Sequence, residues 1–200
     1  FSVTAQVMPQ GFLVGPSDMI GSQLWMSKKL DVTPFHDGTA IPNFTSATGR
    51  RNLTTAAMCS FNFNPANDAV YGKLYNWYAV ETSKLCPTGW HVPTDAEWTV
   101  LTDYYGANGH SGAEGKALKS TSGWNDYYTR TGNGTDDYGW KGLPGGDRGS
   151  NGNFGYPGYY GYWWSSSQSV TNSAWNRYLG SSNDGFYSFS NSKKGGYFVR

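Results

Sequence analysis

The sequence predicts a single α+β domain over residues 1–200, rich in turns and built around an aromatic core. Charged residues make up 14% of the chain, aromatic residues make up 17%, and there are 27 glycines. Globular domains average about 25% charged residues, so the balance here is shifted toward turns and large apolar side chains. The chain also contains nine tryptophans and 15 tyrosines, enough apolar surface to exclude a disordered protein.

Charge and hydropathy exclude several classes of protein. The formal net charge is +1 and the basic residues are scattered, so neither nucleic acid nor an anionic membrane surface is an expected partner. No apolar run approaches the length of about 18 residues that a membrane span requires. The first residue is Phe1, which is compatible with the removal of a signal peptide or upstream segment. Cys59 and Cys86 allow either one disulfide or two free, buried thiols.

Short strands and loops are predicted for the first third of the chain. Residues 1–19 form an N-terminal extension, and Gln23 to Met26 has the composition of a strand. Residues 34–49 are predicted to be a loop that contains a turn at Asp37-Gly38. The alternation of apolar and polar residues from Met58 to Phe63 favours a further strand.

A capping box marks the start of the most strongly specified helix, which is predicted from Thr94 to Tyr105. Thr94 can accept a hydrogen bond from the backbone amide of Glu97, and the Glu97 side chain can reach back to Thr94. A capping role explains the presence of Glu97 better than a role as a catalytic acid does. Gly106 is expected to end the helix. The buried stripe of the helix is predicted to contain Trp98, Leu101 and Tyr105.

One further helix is predicted before this one, and a segment after it is compatible with a helix. From Tyr71 to Val80, apolar residues recur at helical spacing, and Gly112 to Lys119 is also compatible with a helix. The region from residue 106 to 161 is rich in glycine, as expected for long loops. The side chains expected to fill the core from these loops are Trp124, Trp140 and Leu143.

No arrangement of residues in the sequence indicates catalysis. The three histidines lack the spacing of a metal site, and there is no nucleophile elbow, Cys-x-x-Cys or His-Glu-x-x-His motif. We therefore expect a non-enzymatic protein without a cofactor. Asp136 and Asp137 are candidates for a structural calcium site completed by loop carbonyls, although two solvated carboxylates are the more common alternative.

The segment from Tyr162 to Arg200 has the composition of a binding surface. An aromatic start at residues 162–164 leads into a run of serine, asparagine, glycine and aromatic residues, and residues 196–200 form an apolar, strand-like end. Tyrosine and tryptophan provide contact area at little entropic cost, and small polar residues provide adaptable hydrogen bonds. The alternative is a polar, turn-rich β-meander that binds no ligand.

If this segment binds a ligand, ten exposed side chains are predicted to form the site. Trp164 and Trp175 are predicted to support them from below, because binding hot spots combine aromatic anchors with surrounding polar groups. The predicted ligand-binding residues are Gln168, Asn172, Asn176, Tyr178, Ser181, Asn183, Asp184, Tyr187, Phe189 and Asn191.

Five blocks, at residues 71–80, 86–98, 142–146, 162–166 and 174–175, resemble the Fibrobacter succinogenes major paralogous domain. The resemblance extends from about Ile20 to Arg200, and the occurrence of several blocks in the right order makes it specific. This family more remotely resembles the formylglycine-generating-enzyme branch of the C-type lectin fold, through the block from Pro93 to Trp98. The resemblance implies a C-type lectin-like α+β fold with two short helices around a small, irregular antiparallel sheet with long loops.

The same resemblance implies a secreted, cell-surface or phage-borne receptor or adhesin of Bacteroidetes and their relatives, with a cell-surface protein or glycan as its ligand. The formylglycine-generating enzyme carries a copper-binding cysteine pair in the C-terminal part of its domain. This chain has no cysteine there, so that oxidase activity is expected to be absent. The alternatives are a structural subunit of a surface appendage and a degenerate enzyme of that type.

The same branch of the fold also contains the variable proteins of diversity-generating retroelements, in which adenine-directed mutagenesis rewrites asparagine codons near the C-terminus. Residues 166–195 resemble such a variable segment. Trp175, Arg177 and Leu179 keep the family pattern, whereas Phe186 and Ser188 stand where the family more often has valine and arginine. The residues of the substituted kind are Asn176, residues 180–185, Tyr187 and residues 189–192.

Overall fold

The structure, a computed structural model, describes residues 17–45 and 53–200 and confirms a mixed α+β architecture. Residues 1–16 of the predicted N-terminal extension lie outside the described residues, and residues 17–19 belong to the first strand. In chain order the elements are β1 (Ser17–Ile20), β2 (Gln23–Met26), β3 (Met58–Cys59), α1 (Asp68–Tyr71), β4 (Leu74–Tyr75), α2 (Trp77–Val80), α3 (Asp95–Tyr105), α4 (Glu114–Leu118), β5 (Asp147–Arg148), β6 (Phe154–Gly155), β7 (Tyr160–Val170), β8 (Ser173–Gly180) and β9 (Tyr187–Ser192).

The largest sheet consists of β7, β8 and β9 and is referred to as the C-terminal sheet. Its strands are antiparallel: β8 pairs with β7 on one side and with β9 on the other. The other strands form three two-stranded antiparallel sheets, β1-β2, β3-β4 and β5-β6. The predicted strand at Gln23–Met26 is therefore confirmed as β2.

The end of the chain joins the C-terminal sheet to β4. Tyr197 and Tyr75 exchange two backbone hydrogen bonds, of 2.9 and 3.1 Å. Next to them, the amide of Phe198 donates to the carbonyl of Tyr162 at 3.1 Å, and its carbonyl accepts from the amide of Trp164 at 3.0 Å. The apolar, strand-like end predicted for residues 196–200 is thus present as a bridging segment between two sheets.

Helix α3 has the predicted capping box. The Glu97 amide donates to Thr94 Oγ1 at 3.2 Å, and the Thr94 amide donates to Glu97 Oε2 at 2.8 Å. The α-helix ends at Tyr105 with Gly106 as its C-cap residue, as predicted, but Gly106 keeps helical backbone angles and a wider π-type turn continues to His110. The left-handed angle that ends this turn occurs instead at Gly109, with φ of +94°.

The prediction of a single helix from Tyr71 to Val80 is wrong. Gly72 ends α1 with φ of +74°, and a Cβ there would lie 2.6 Å from the carbonyl oxygen of Leu30. The chain then forms β4 before Asn76 starts α2, with its side chain accepting from the amide of Ala79 at 3.1 Å. The described residues therefore contain four α-helices rather than two, and three of them span only four or five residues.

Two other predicted elements are shorter than expected. The strand predicted from Met58 stops at Cys59, because a 3₁₀ turn with Asn62 at φ of +53° follows it. The predicted helix at residues 112–119 is confined to α4. Within the described ranges, no helix is long and apolar enough to cross a membrane.

The core consists of two apolar clusters. Consecutive residues of a strand point to opposite faces, so Trp163 belongs to one cluster and Trp164 to the other, and both are fully buried. Trp124 and Trp140 fill the core from loops as predicted, whereas Leu143 is only half-buried. The two cysteines, Cys59 and Cys86, are free and buried.

Candidate ligand-binding site

Tyrosines form a row across one face of the C-terminal sheet. Strand register places Tyr162 opposite Tyr178, and Tyr178 opposite Tyr187. The ring centroids of these two pairs are 5.8 and 5.2 Å apart. Tyr160 and Tyr197 extend the row, with centroids 5.9 and 5.1 Å from that of Tyr162. These five residues are referred to as the tyrosine face.

An open cleft of about 380 Å³ lies against the tyrosine face. Its volume falls within the range of about 300–1,000 Å³ that is typical of small-ligand sites. Six of its eight lining residues are aromatic, and none is lysine, arginine or histidine. This cavity is referred to as the aromatic cleft, and it is lined by Asp147, Tyr156, Tyr160, Tyr162, Tyr178, Phe189, Asn191 and Tyr197.

One carboxyl group, that of Asp147, contributes to the aromatic cleft. Its neighbour Gly146 forms a bridge with Gly161 of β7, and Arg148 forms a bridge with Gly196 beside Tyr197. Strand β5 therefore holds Asp147 between β7 and the end of the chain. In the part of the chain that the structure describes, no group donates a hydrogen bond to this carboxyl or forms an ion pair with it.

Burial controls the ionisation of the groups in the aromatic cleft. It raises the pKa of Asp147 to about 6, because the charged carboxylate loses hydration without gaining a partner. Burial, followed by the nearby Asp147 charge, also raises the pKa of Tyr162 and of Tyr197. The cleft therefore presents one poorly compensated negative charge among uncharged aromatic rings.

The structure brings four of the ten predicted ligand-binding residues together. Tyr178, Phe189 and Asn191 line the aromatic cleft, and Tyr187 stacks on Tyr178 at its edge. Tyr187 is 41% exposed and Phe189 is 56% exposed, so both rings are accessible to a partner. These four side chains share a face because Tyr178 pairs with Tyr187, and Tyr187, Phe189 and Asn191 are alternate residues of β9.

Four other predicted residues lie toward the two ends of the sheet. Gln168 and Asn172 are exposed near the β7–β8 turn, where Gln168 Oε1 accepts from Lys193 Nζ at 2.7 Å. At the opposite end, the carbonyl of Asn183 accepts from Lys119 Nζ at 2.9 Å. Asp184, the next residue, forms an ion pair with Arg130. The interactions of Asn183 and Asp184 hold the loop that follows β8 against Lys119 and Arg130, away from the cleft.

The expected exposure of Asn176 and Ser181 is wrong. Asn176 is fully buried in the middle strand, opposite Trp164, and its Nδ2 donates to the carbonyl of Phe189 at 2.9 Å. Ser181 is 2% exposed, and its amide donates to the carbonyl of Tyr159 at 2.9 Å. Both residues therefore hold neighbouring strands and loops together from the interior.

The two tryptophans that were expected to support the site lie on opposite faces of the sheet. Trp164 packs beside the cleft, with its ring 4.4 Å from that of Tyr197 and its Nε1 donating to the Tyr75 carbonyl at 2.8 Å. Trp175 is half-buried and points to the opposite face, as Arg177 does, because side chains alternate along β8. The prediction that both tryptophans support the site from below is therefore wrong.

Sequence reasoning missed Asp147, Tyr156 and Tyr160, which lie before the segment assigned to binding. A signal was present for the tyrosines, since residues 155–162 read Gly-Tyr-Pro-Gly-Tyr-Tyr-Gly-Tyr. The alternation of Tyr160 and Tyr162 in that run predicts two rings on one face of a strand. No local pattern marks Asp147, because its position depends on bridges to distant segments.

The predicted calcium site has no further support from the geometry. Among residues 17–45 and 53–200, no three or more His, Cys, Asp or Glu side chains are grouped so as to hold a metal ion. Asp136 Oδ1 accepts from the amide of Lys141 at 2.7 Å, and Asp137 pairs with His110 at 3.2 Å. Calcium binding at this loop stays a prediction.

Together, these features define an α+β domain whose last antiparallel sheet carries an aromatic cleft of ligand size. The sequence model of the Fibrobacter succinogenes major domain matches residues 19–200. The protein belongs to this family, as its sequence blocks predict. No curated protein and no solved structure matches the chain. The relationships to the C-type lectin fold and to retroelement variable proteins therefore stay predictions.

Proposed function

We propose that the protein is a non-enzymatic ligand-binding module and that the tyrosine face and aromatic cleft form its binding surface. The observation that carries this proposal is the gathering of six aromatic side chains around one open cleft. Exposed aromatic clusters of this kind are typical of interaction sites, because Tyr and Phe combine large contact area with few rotatable bonds. The prominent exposure of Tyr187 and Phe189 supports the same proposal.

The proposed partner is a protein or glycan on a cell surface, and the proposed location is the surface of a cell or phage particle, or the secreted fraction. Membership of the Fibrobacter succinogenes major domain family supports this assignment through the resemblance described above. The C-type lectin-like fold belongs to the same proposal. A receptor or adhesin role follows, with a structural subunit of a surface appendage as the alternative.

The alternation of side chains supports the further proposal that a retroelement diversifies this face. Arg177 and Leu179, which keep the family pattern, are buried on one face of β8. Tyr187 and Phe189, which are of the substituted kind, are exposed and belong to the other face. Substitution at the exposed positions would alter the binding surface without changing the core.

Sequencing the codons for residues 162–200 across the source population tests the diversification proposal. We expect substitutions at Tyr187 and Phe189, together with constant Arg177 and Leu179. Asn176, which the sequence places among the residues of the substituted kind, is instead expected to stay constant, because any change would alter a buried position in the middle strand. Identical codons for Tyr187 and Phe189 in all copies would remove the retroelement proposal and leave ligand binding to be tested separately.

The substitution Tyr187→Ala should weaken binding to target cells by about 10-fold or more, as expected when an aromatic hot spot is truncated. The melting temperature should change little, because the ring is 41% exposed. Binding of the labelled full chain to a panel of cells and glycans, followed by thermal unfolding, measures both effects. Tyr128→Ala is the matched control, since Tyr128 is 90% exposed and does not line the cleft.

Two outcomes would contradict this assignment. A large loss of stability in the Tyr187→Ala variant would place the ring in the core. Concentration-dependent self-association of the natural protein, without binding to any cell or glycan, would favour the appendage subunit instead.

A further inference from the structure

We propose that the aromatic cleft binds an organic cation, an ammonium group carrying alkyl substituents, and that Asp147 is its counter-ion. This inference rests on the proposed ligand-binding function of the same face and specifies the chemistry of the ligand. Two features carry it: the orientation of the rings that line the cleft and the absence of a described partner for the Asp147 carboxyl.

The aromatic rings that line the cleft have two different orientations. Tyr162 stacks with Tyr160 and with Tyr197 at interplanar angles of 20° and 21°, so each of these two rings is nearly parallel to that of Tyr162. Tyr156 meets Tyr160 edge-on, at 76°. An aromatic face attracts a cation held within about 6 Å of its centroid, and several rings around one ammonium group are a recurrent way to bind it.

The charge of the cleft selects for a cation. Asp147 is the only charged group among the residues that line it. In the described ranges this partly buried carboxyl has neither a hydrogen-bond donor nor an ion-pair partner, so the hydration it loses on folding is not replaced. A bound cation would supply the missing partner, and an anion would be repelled.

Other small ligands fit the lining less well. A hard metal ion such as calcium requires six to eight oxygen ligands, and the aromatic cleft offers a single carboxyl group among aromatic rings. A neutral sugar could stack on the rings but would leave the Asp147 charge uncompensated. An alkylated ammonium group carries both the positive charge and the apolar surface that this lining complements.

Binding should depend on pH through Asp147. Since the pKa of Asp147 is raised to about 6, the carboxyl is mostly ionised at neutral pH and loses its charge on acidification. The other titratable groups that line the cleft are phenols, whose ordinary pKa of about 10 lies well outside this range. Affinity should therefore fall as the pH decreases below about 6. The titratable groups that line the cleft together with Asp147 are Tyr156, Tyr160, Tyr162, Tyr178 and Tyr197.

Calorimetric titration of the full chain with choline tests the proposal, using 3,3-dimethylbutan-1-ol as the uncharged analogue of the same shape. We expect choline to bind at least about 10-fold more tightly than the alcohol, because only choline carries the charge that complements Asp147. This comparison uses the natural protein, so it does not depend on the folding of any variant. Equal affinity for the two compounds, or no binding of choline, tetramethylammonium or trimethyl-lysine, would overturn the proposal.

The variant Asp147→Asn should lower choline affinity by about 10-fold or more and should abolish its dependence on pH between about 5 and 7. Asp103→Asn, which changes an exposed carboxylate on α3, is the matched control and should leave both unchanged. Unaltered choline binding by the Asp147→Asn variant would contradict the role of this carboxyl. The affinities for choline and for N-acetyl-trimethyl-lysine methylamide distinguish two sources of the cation. Tighter binding of choline indicates a head group, and tighter binding of the lysine derivative indicates a methylated lysine side chain.

The cation proposal and the proposed function can fail separately. If Tyr187→Ala abolishes cell binding while no ammonium compound binds, the cation proposal is wrong and the binding face stands. If choline binds in the cleft but neither excess choline nor Tyr187→Ala affects cell binding, the cation site stands and the assignment of the cell-binding face is wrong.

Discussion

The substitution Trp98→Ala should lower the free energy of unfolding by about 3–5 kcal/mol, the usual cost of removing a fully buried tryptophan. Trp98 is fully buried, and its ring centroid lies 4.8 Å from that of Trp25 and 6.0 Å from that of Trp140. Its Nε1 also donates to the carbonyl of Trp164 at 3.3 Å. The variant therefore loses ring contacts, gains a cavity and leaves a buried carbonyl without this donor.

Urea unfolding of the variant and the natural protein measures this effect. Val100→Ala is the matched control, because Val100 lies on the same helix and is 46% exposed. It should cost less than about 1 kcal/mol, since surface substitutions are usually mild. Domains are typically stable by about 5–15 kcal/mol, so Trp98→Ala could remove a large fraction of the total. A loss below about 1 kcal/mol for Trp98→Ala would show that the core does not depend on this ring.

The capping box of α3 was predictable because it is local. Thr94 and Glu97 satisfy each other's backbone amides across three residues, without help from the rest of the chain. The failure at residues 71–80 has the opposite origin. Apolar residues at helical spacing also suit a buried strand followed by a short helix. The choice between them depends on the close approach of Gly72 to Leu30, which is distant in sequence.

The candidate site was predictable to a similar extent. Composition pointed to Tyr178, Tyr187 and Phe189, because aromatic residues mixed with small polar ones are typical of a binding surface. It could not separate Asn176 from them, since burial depends on the register of β8 against its neighbours. The sequence could not identify Asp147 as a site residue for the same reason. Its position in the cleft depends on the bridges of its neighbours Gly146 and Arg148 to segments that are distant in sequence.

The variant Asp147→Asn should be more stable than the natural protein in the absence of ligand at about pH 7.5. The folded-state pKa of Asp147 is raised from the ordinary value of 3.8 to about 6. Between these pH values the folded state keeps a proton that the unfolded state has released, so the free energy of unfolding falls as the pH rises. Asparagine avoids this loss. The gain should be about 1–2 kcal/mol, a value reduced because the carboxyl is partly exposed.

Urea unfolding at about pH 4 and about pH 7.5 checks the sign of this effect. The advantage of Asp147→Asn should be present at the higher pH and largely absent at the lower one, where Asp147 is mostly protonated when folded. Asp103→Asn should show no comparable change, because its carboxylate is exposed. If Asp147→Asn is instead less stable at about pH 7.5, the carboxylate has a stabilising partner, and the argument for an unsatisfied counter-ion fails.

A ligand of the proposed class should oppose this difference in stability. Compounds that bind only the folded state stabilise it by an amount that grows with the logarithm of the ratio of free ligand concentration to Kd. Saturating choline should therefore raise the melting temperature of the natural protein more than that of the Asp147→Asn variant, and 3,3-dimethylbutan-1-ol should affect the two proteins alike. A carboxylate that destabilises the empty protein and stabilises the occupied one is expected where the ligand itself supplies the compensating charge.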